Sequence, residues 1–240
     1  MTWPCYPKYK NTQFSWLGAI PEHWEIRKLK YIASITLSNV DKKVDENEEP
    51  IRLCNYVDVY YNDFITGDLE LMEGTASRAE IDKFTLRQGD VIVTKDSESW
   101  DDIAVPAYVP ADLDGILCGY HLAIVRADKH VADGGYLFRA FEARGINDQF
   151  RVAANGITRY GLGKYWLDNA LFPLPTLDEQ IAIVKFLDRK MAKIDQLLSK
   201  VERLAGKIGD TTKSLLSEYR TALITAAVTG KIDVRKEVSA

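Results

Sequence analysis

The stretch that decides the fold is residues 170–233, ALFPLPTLDEQIAIVKFLDRKMAKIDQLLSKVERLAGKIGDTTKSLLSEYRTALITAAVTGKID. Pro173 and Pro175 force extended backbone and cannot continue a helix. Thr176 then stands as an N-cap with Glu179 three residues on, a T-x-x-E capping box, and Asp178 adds a first-turn acid at the positive end of the helix dipole. From there apolar residues recur as Leu187, Met191, Ile194, Leu198, Val201, Ala205 and Ile208, at alternating spacings of 4 and 3. That is an a/d seam of period 3.5, the period of a coiled coil. The same phase runs on through Thr212, Leu215, Tyr219, Ala222 and Ala226, with mostly charged residues, Gln and Ser between them. Gly206 and Gly209 each weaken a helix by roughly 1 kcal/mol and mark a place for a kink or break. Gly230 is placed to stop the helix. Read as one element, 178–229 makes a helix about 78 Å long at 1.5 Å per residue.

A helix with one apolar seam most often packs on its own domain. A seam this long outruns what the preceding residues can cover, and left bare it would expose a stripe that soluble monomers rarely tolerate. The seam therefore needs a partner helix, from a second chain or from the same chain folded back near Gly206–Gly209. The expectation is an intermolecular two-fold pairing, with Leu187, Met191, Ile194, Leu198, Val201, Ile208, Leu215 and Tyr219 as the dimerisation residues.

Working back from Thr176, the pattern changes. Residues 50–62 (PIRLCNYVDVYYN), 88–97 (QGDVIVTKDS) and 115–127 (GILCGYHLAIVRA) read as strand-length runs. Val91, Ile92 and Val93 are consecutive and apolar, so their strand is buried on both faces. Helices are expected at 136–146 and 148–154. No βαβ unit repeats, which argues against a doubly wound sheet. The fold class is α+β: a mixed domain of short strands over 1–176, followed by a long C-terminal coiled-coil helix in 177–240.

The 240 residues carry 31 basic and 35 acidic side chains. Residues 1–176 hold 19 basic against 26 acidic (net −7), and 177–240 hold 12 against 9 (net +3). This balance excludes a uniformly basic coat but not a local basic face. Three widely spaced cysteines (Cys5, Cys54, Cys118) make neither a disulfide framework nor a metal knuckle. No run of about 18 apolar residues marks a membrane span, and MTWPCYPKYK lacks the apolar region of a signal peptide. A reduced, cytoplasmic setting is expected, with no membrane partner.

No phosphate-binding loop, HExxH metal motif or GxSxG elbow occurs. His23, His121 and His130 are scattered and read as solvated or satisfied rather than as ligands, and the acidic run 96–102 reads as an exposed loop. Nothing assembles nucleophile, base and orienter, so a non-enzyme is expected. What remains is a set of polar and basic residues on turns. Residues 154–166 (ANGITRYGLGKYW) offer Arg159, Tyr160 and Lys164 among three glycines. Residues 93–99 offer Thr94, Lys95, Ser97 and Ser99, and Arg52 and Asn55 lie at a further strand edge. Arg reads guanine bidentately, and Lys and Thr suit phosphate, so these nine are the candidate DNA-binding residues.

Four stretches together resemble the DNA-specificity subunit of type I restriction-modification systems. They are LGAIPEHWEIRKLKYIA (17–33), LRQGDVIVTKDSES (86–99), GITRYGLGKYWLDNALFPLPTLDEQIAIVKFLD (156–188) and LITAAVTGKID (223–233). The third is the most specific, with its PLP-x-x-x-EQ boundary into the long helix. The resemblance implies a target-recognition domain followed by a helical spacer, a unit that full-length subunits carry twice. It implies double-stranded DNA, methyltransferase (modification) subunits and a restriction subunit as partners. No cofactor is implied for this chain, since S-adenosylmethionine, Mg and ATP belong to the partners. Type IIB-like specificity subunits share the pattern. This chain matches one such unit, so an antiparallel homodimer reading an interrupted palindrome is expected. The rival from another class is a coiled-coil adaptor whose acidic head binds protein.

Overall fold

The computed structural model of the protein describes residues 3–204 and 207–235, with side chains for all of these except 202–204 and 207–211. Two four-stranded sheets organise the first part. One is antiparallel, in the order Pro106–Tyr108, Asp90–Thr94, Leu122–Ala127, Ala33–Leu37. The other runs Met72–Ala76, Glu49–Cys54, Leu113–Cys118, Thr85–Leu86, with its two central strands parallel. Period-2 alternation divides the first sheet's apolar residues between two cores. Val91, Val93, Ala123 and Val125 face a helical layer, whereas Ile92, Leu122 and Ile124 face the second sheet. The strand of Val91–Val93 is thus buried on both faces, as its composition requires.

The run 50–62 splits where a single strand was expected. After strand Glu49–Cys54, Asn55 and Asp58 form a capping box that starts helix α1, Tyr56–Tyr61. The local cap overrides the β preference of Val57, Val59 and the tyrosines. The run 115–127 also divides, into Leu113–Cys118 and Leu122–Ala127. Gly119 sits at that turn, where a Cβ would stand 2.7 Å from the Cys54 carbonyl oxygen. Helix α2 is Arg78–Phe84, α3 is Gly134–Glu142, α4 is Arg144–Ala153 and α5 is Lys164–Asn169.

Strand Leu171–Leu174 pairs antiparallel with Glu25–Lys28, so the segment before the long helix is extended, as its prolines dictate. Thr176 and Glu179 form the capping box, with Glu179 N–H donating to Thr176 Oγ1 at 3.4 Å and Thr176 Oγ1 donating back to the carboxylate at 3.1 Å. The C-terminal end is equally regular. Gly230 has φ +73, and the N–H groups of Gly230 and Lys231 bond to the carbonyls of Ala227 and Ala226, a Schellman closure.

Between these ends the sequence allows either one helix over 178–229 or a break near Gly206–Gly209, and the structure has two helices, α6 at Leu177–Leu204 and α7 at Lys207–Val228, which pack against each other. The expected break at Gly206–Gly209 falls partly outside the described residues, since 205 and 206 are not described and Gly209 lies in α7. Arg220 of α7 stands 3.6 Å from Asp195 of α6, so α7 runs back along its own α6. Leu187, Met191 and Ile194 are buried in one core with Leu223, Ile224, Ala227 and Val228, together with Trp24, Phe141 and Phe172. The α6 part of the seam therefore closes within the chain, correcting the expectation that it has no internal partner, but against Leu216, Leu223, Ile224 and Ala227 of α7; the seam positions on α7 itself, Leu215, Tyr219 and Ala222, stay exposed.

Candidate nucleic-acid interface

Three segments far apart in sequence meet at the end of strand Asp90–Thr94. Asp96–Ser97 pairs with Tyr160–Gly161, placing Tyr160 opposite Ser97. Leu162 N–H donates to the Lys95 carbonyl at 2.7 Å, and Lys95 N–H donates to the His121 carbonyl at 2.9 Å. The loop 154–163 is thereby fastened beside Lys95, and Arg159 reaches His121, with 3.0 Å between Nη2 and Nε2.

The side chains form a charged mesh. Asp96 Oδ2 lies 2.7 Å from Lys95 Nζ and 3.3 Å from His121 Nδ1. Burial foremost, then the positive charges of Arg159 and Lys95, hold the His121 pKa below its ordinary value, against the opposing pull of Asp96. Next to this mesh, Tyr56 Oη and Ser97 Oγ are 3.2 Å apart. Tyr56 and Tyr60, one helical turn apart on α1, stack with centroids 5.7 Å apart, and Tyr61 packs edge-on to Tyr60. Ser97 is buried and the Lys95 side chain is largely so, while Arg159, Tyr60 and Tyr61 are exposed, so the surface offers a guanidinium and aromatic faces seated on a polar mesh, groups that base and phosphate contacts use.

Of the nine candidate residues, Lys95, Ser97, Arg159 and Tyr160 come together here, with Ser99 alongside, its N–H bonded to Ser97 Oγ at 3.1 Å. Lys164 opens α5 directly after the loop and pairs with Asp168 at 2.6 Å. The other three lie elsewhere in role or place. Thr94 is fully buried, donating to the Asp102 carbonyl and accepting from Val105 N–H, and so holds the loop that follows its strand. Asn55 is buried as the cap of α1, the helix that carries Tyr56. Arg52 donates to the Gly67 carbonyl at 2.8 Å and lines a separate cleft with Glu73 and Asp114.

Sequence reasoning passed over His121 and Tyr60. Tyr60 was legible in the Asn55-x-x-Asp58 cap, which puts 56 and 60 on one helical face. His121 carried no local signal, because Asp96 and Arg159 reach it only through the fold. Among the dimerisation candidates, Leu187, Met191 and Ile194 are buried inside the chain, and Leu198 and Val201 are half-buried. Leu215 and Tyr219 are exposed, at 60% and 48%. The side chain of Ile208 lies outside the described residues. Among the described residues, no group of three His, Cys, Asp or Glu is placed to hold a metal ion, and no helix is long and apolar enough to cross a membrane.

No protein-family model matches the chain. Over 217 residues it is 22% identical to a protein of Methanocaldococcus jannaschii provisionally named the type I restriction enzyme MjaX specificity subunit. That match covers 89% of this chain and 49% of the other, so the chain spans about half the length of the curated relative. Its fold is similar to that of the HsdS subunit from Thermoanaerobacter tengcongensis, with a TM-score of 0.57 at 20% identity over 77% of this chain and 46% of that one. It is similar also to a chain from a structure concerned with complex assembly and conformational transition of the type I R-M system, with a TM-score of 0.56 at 16% identity over 93% and 49%. In sequence and in fold the chain is like one half of a type I restriction-modification specificity subunit.

Proposed function

We propose that this chain is a DNA-reading specificity unit of a type I restriction-modification system and not itself a catalyst, with residues 1–176 as the target-recognition domain and 177–240 as the helical region. The observation that carries the reading is the convergence of Lys95, Ser97, Arg159 and Tyr160 from two distant segments onto one face, beside the aromatic faces of α1. Arg159, exposed, is the side chain suited to a base edge, Lys95 beside it is suited to a phosphate, and buried Ser97 holds the two segments in register. The helical region docks methyltransferase and restriction subunits, which bring S-adenosylmethionine, Mg and ATP. With 26 acidic against 19 basic residues in the head, the chain alone binds DNA weakly and the assembled complex binds it well.

Two copies reading an interrupted palindrome complete the proposal. What supports it is the relatives' greater length, of which this chain covers only about half. The buried seam does not support it. Leu215 and Tyr219, one turn apart and exposed, are the seam residues left for a second copy. An exchange of α7 between copies would rebuild the same α6–α7 contacts across a two-fold.

Alanine at Lys95, Arg159 and Lys164 tests the reading in the assembled complex. Duplex binding should fall while assembly is unchanged. Unchanged binding would instead favour an adaptor with a protein-binding head. Sedimentation of wild type and of Leu215→Glu/Tyr219→Glu tests the pairing: dimers that dissociate in the variant support it, and a wild type that stays monomeric at high concentration refutes it.

A further inference from the structure

The acidic head carries one locally basic segment. Residues 8–31 hold Lys8, Lys10, Arg27, Lys28 and Lys30 against only Glu22 and Glu25. The fold gathers them. The hairpin Tyr9–Asn11/Ala19–Pro21 and strand Glu25–Lys28 flank an open cleft of about 590 Å³, lined by Lys10, Arg27, Lys28 and Tyr31 among others. Both carboxylates are already engaged, Glu25 with Arg27 at 2.7 Å and Glu22 with Lys8 at 3.9 Å. Among the described residues, Lys10, Lys28 and Lys30 have no carboxylate within ion-pair distance. Lys28 and Lys30 instead converge on one neutral acceptor, Asn169 Oδ1, at 3.1 and 3.4 Å. Lys30 also lies 5.2 Å from the centroid of the exposed Tyr31 ring. Two ammonium groups sharing an amide oxygen leave an uncompensated positive site for an anion.

Asn169 is the last residue of α5 and Lys164 the first. A helix of that length spans about 9 Å, roughly three base pairs at 3.4 Å of rise. The basic cleft therefore lies at one end of α5 and the Lys95–Arg159 face at the other, with exposed Tyr165 and Trp166 on the helix between them.

We propose that Lys10 and Lys28 of this cleft, with Lys30 beside Lys28 at Asn169, grip the phosphate backbone of the duplex a few base pairs from the bases read by the Arg159 face. The inference rests on the DNA-reading proposal and adds to it a sequence-independent anchor. Such contacts set register and carry salt dependence without reading sequence.

The test is the full chain with Lys10, Lys28 and Lys30 changed to alanine. Its affinity is measured for a 30-base-pair duplex of arbitrary sequence between roughly 50 and 200 mM salt, where phosphate contacts dominate. Loss of three phosphate contacts should reduce the slope of log K against log salt by about 2.7. Arginine at the same three positions should restore the slope, whereas Arg159→Ala should alter it by no more than about one. An unchanged slope in the alanine variant, with wild-type binding intact, overturns the anchor and leaves the reading face standing. A wild-type chain that binds no duplex even at the low-salt end overturns the anchor, and loss of duplex binding by the assembled complex as well overturns the reading proposal with it.

Discussion

Arg159 Nη2 lies 3.0 Å from His121 Nε2, although 38 residues separate them, and Asp96 closes the other side of the imidazole at 3.3 Å. A half-buried histidine thus sits between the cations Arg159 and Lys95 and one carboxylate, against the ring of Tyr120. Burial is the largest reason that its pKa lies below the ordinary value, so His121 is neutral at pH 7 and above.

A pH dependence follows, with its sign. As pH falls below about 6.5 toward the lowered value, the unfolded chain takes up the proton before the folded one, and the fold loses stability. Once protonated, His121 adds positive charge to the reading face. Duplex affinity should therefore rise with acid through that window more than salt and other groups account for, and His121→Asn should remove that part of the rise. Fluorescence anisotropy from pH 5 to 8 at fixed salt measures it. An identical pH profile in the variant would detach His121 from the interface.

Helix length should set the distance between half-sites. If two copies pair through their helical regions, inserting one heptad in α6 after Lys193 should change the gap in the modified DNA motif and leave the half-site bases alone. Sequencing of modified DNA decides between a changed and an unchanged gap.

An ionic cluster adds to the apolar joint between head and hairpin. Arg139, almost fully buried, bonds Glu142 at 2.8 Å and Asp188 of α6 at 2.7 Å, while Arg220 of α7 pairs with Asp63 and lies 3.3 Å from Glu142. Burial pushes the Glu142 carboxyl up, against the pull of both arginines. Arg139→Met strands part of that charge and should cost on the order of 3 kcal/mol, read from urea unfolding. A cost below about 1 kcal/mol would place the network in solvent-like surroundings.

The close of α7 depends on Gly230. Its φ is +73, and a Cβ there would run into the ring of Pro21 and stand 3.2 Å from Trp24. The left-handed backbone alone costs a larger residue roughly 1–2 kcal/mol. Gly230→Ala should lower the melting temperature by several degrees, by an amount clearly larger than Gly163→Ala, where a Cβ meets nothing within 4 Å.

Much of the fold was legible where the signal is local. The Pro173–Pro175 segment, the Thr176–Glu179 box, the doubly buried Val91–Val93 strand and the Gly230 stop all depend on neighbours within a few residues. The hairpin of α6 and α7 was not legible in the same way. A 3.5-residue period gives the seam but not its partner, and Leu187 can pack on Leu223 of its own chain as well as on another's. At the site, Lys95 and Arg159 were recognisable by type. That they share a face with His121 and Tyr56 depends on the pairing of Ser97 with Tyr160, which leaves no periodic trace. Thr94 and Asn55 looked like DNA contacts because hydroxyls and amides serve ligands and backbone alike.

The central claim is that this chain reads DNA sequence for a modification complex. The most direct measurement is the genome-wide methylation pattern of cells carrying the chain with its partner subunits, compared with cells carrying Arg159→Ala. A two-part motif, its halves inverted repeats across a fixed gap, should appear with the wild type and be lost or relaxed with the variant. A motif that persists unchanged without a functional copy of this chain would contradict the account.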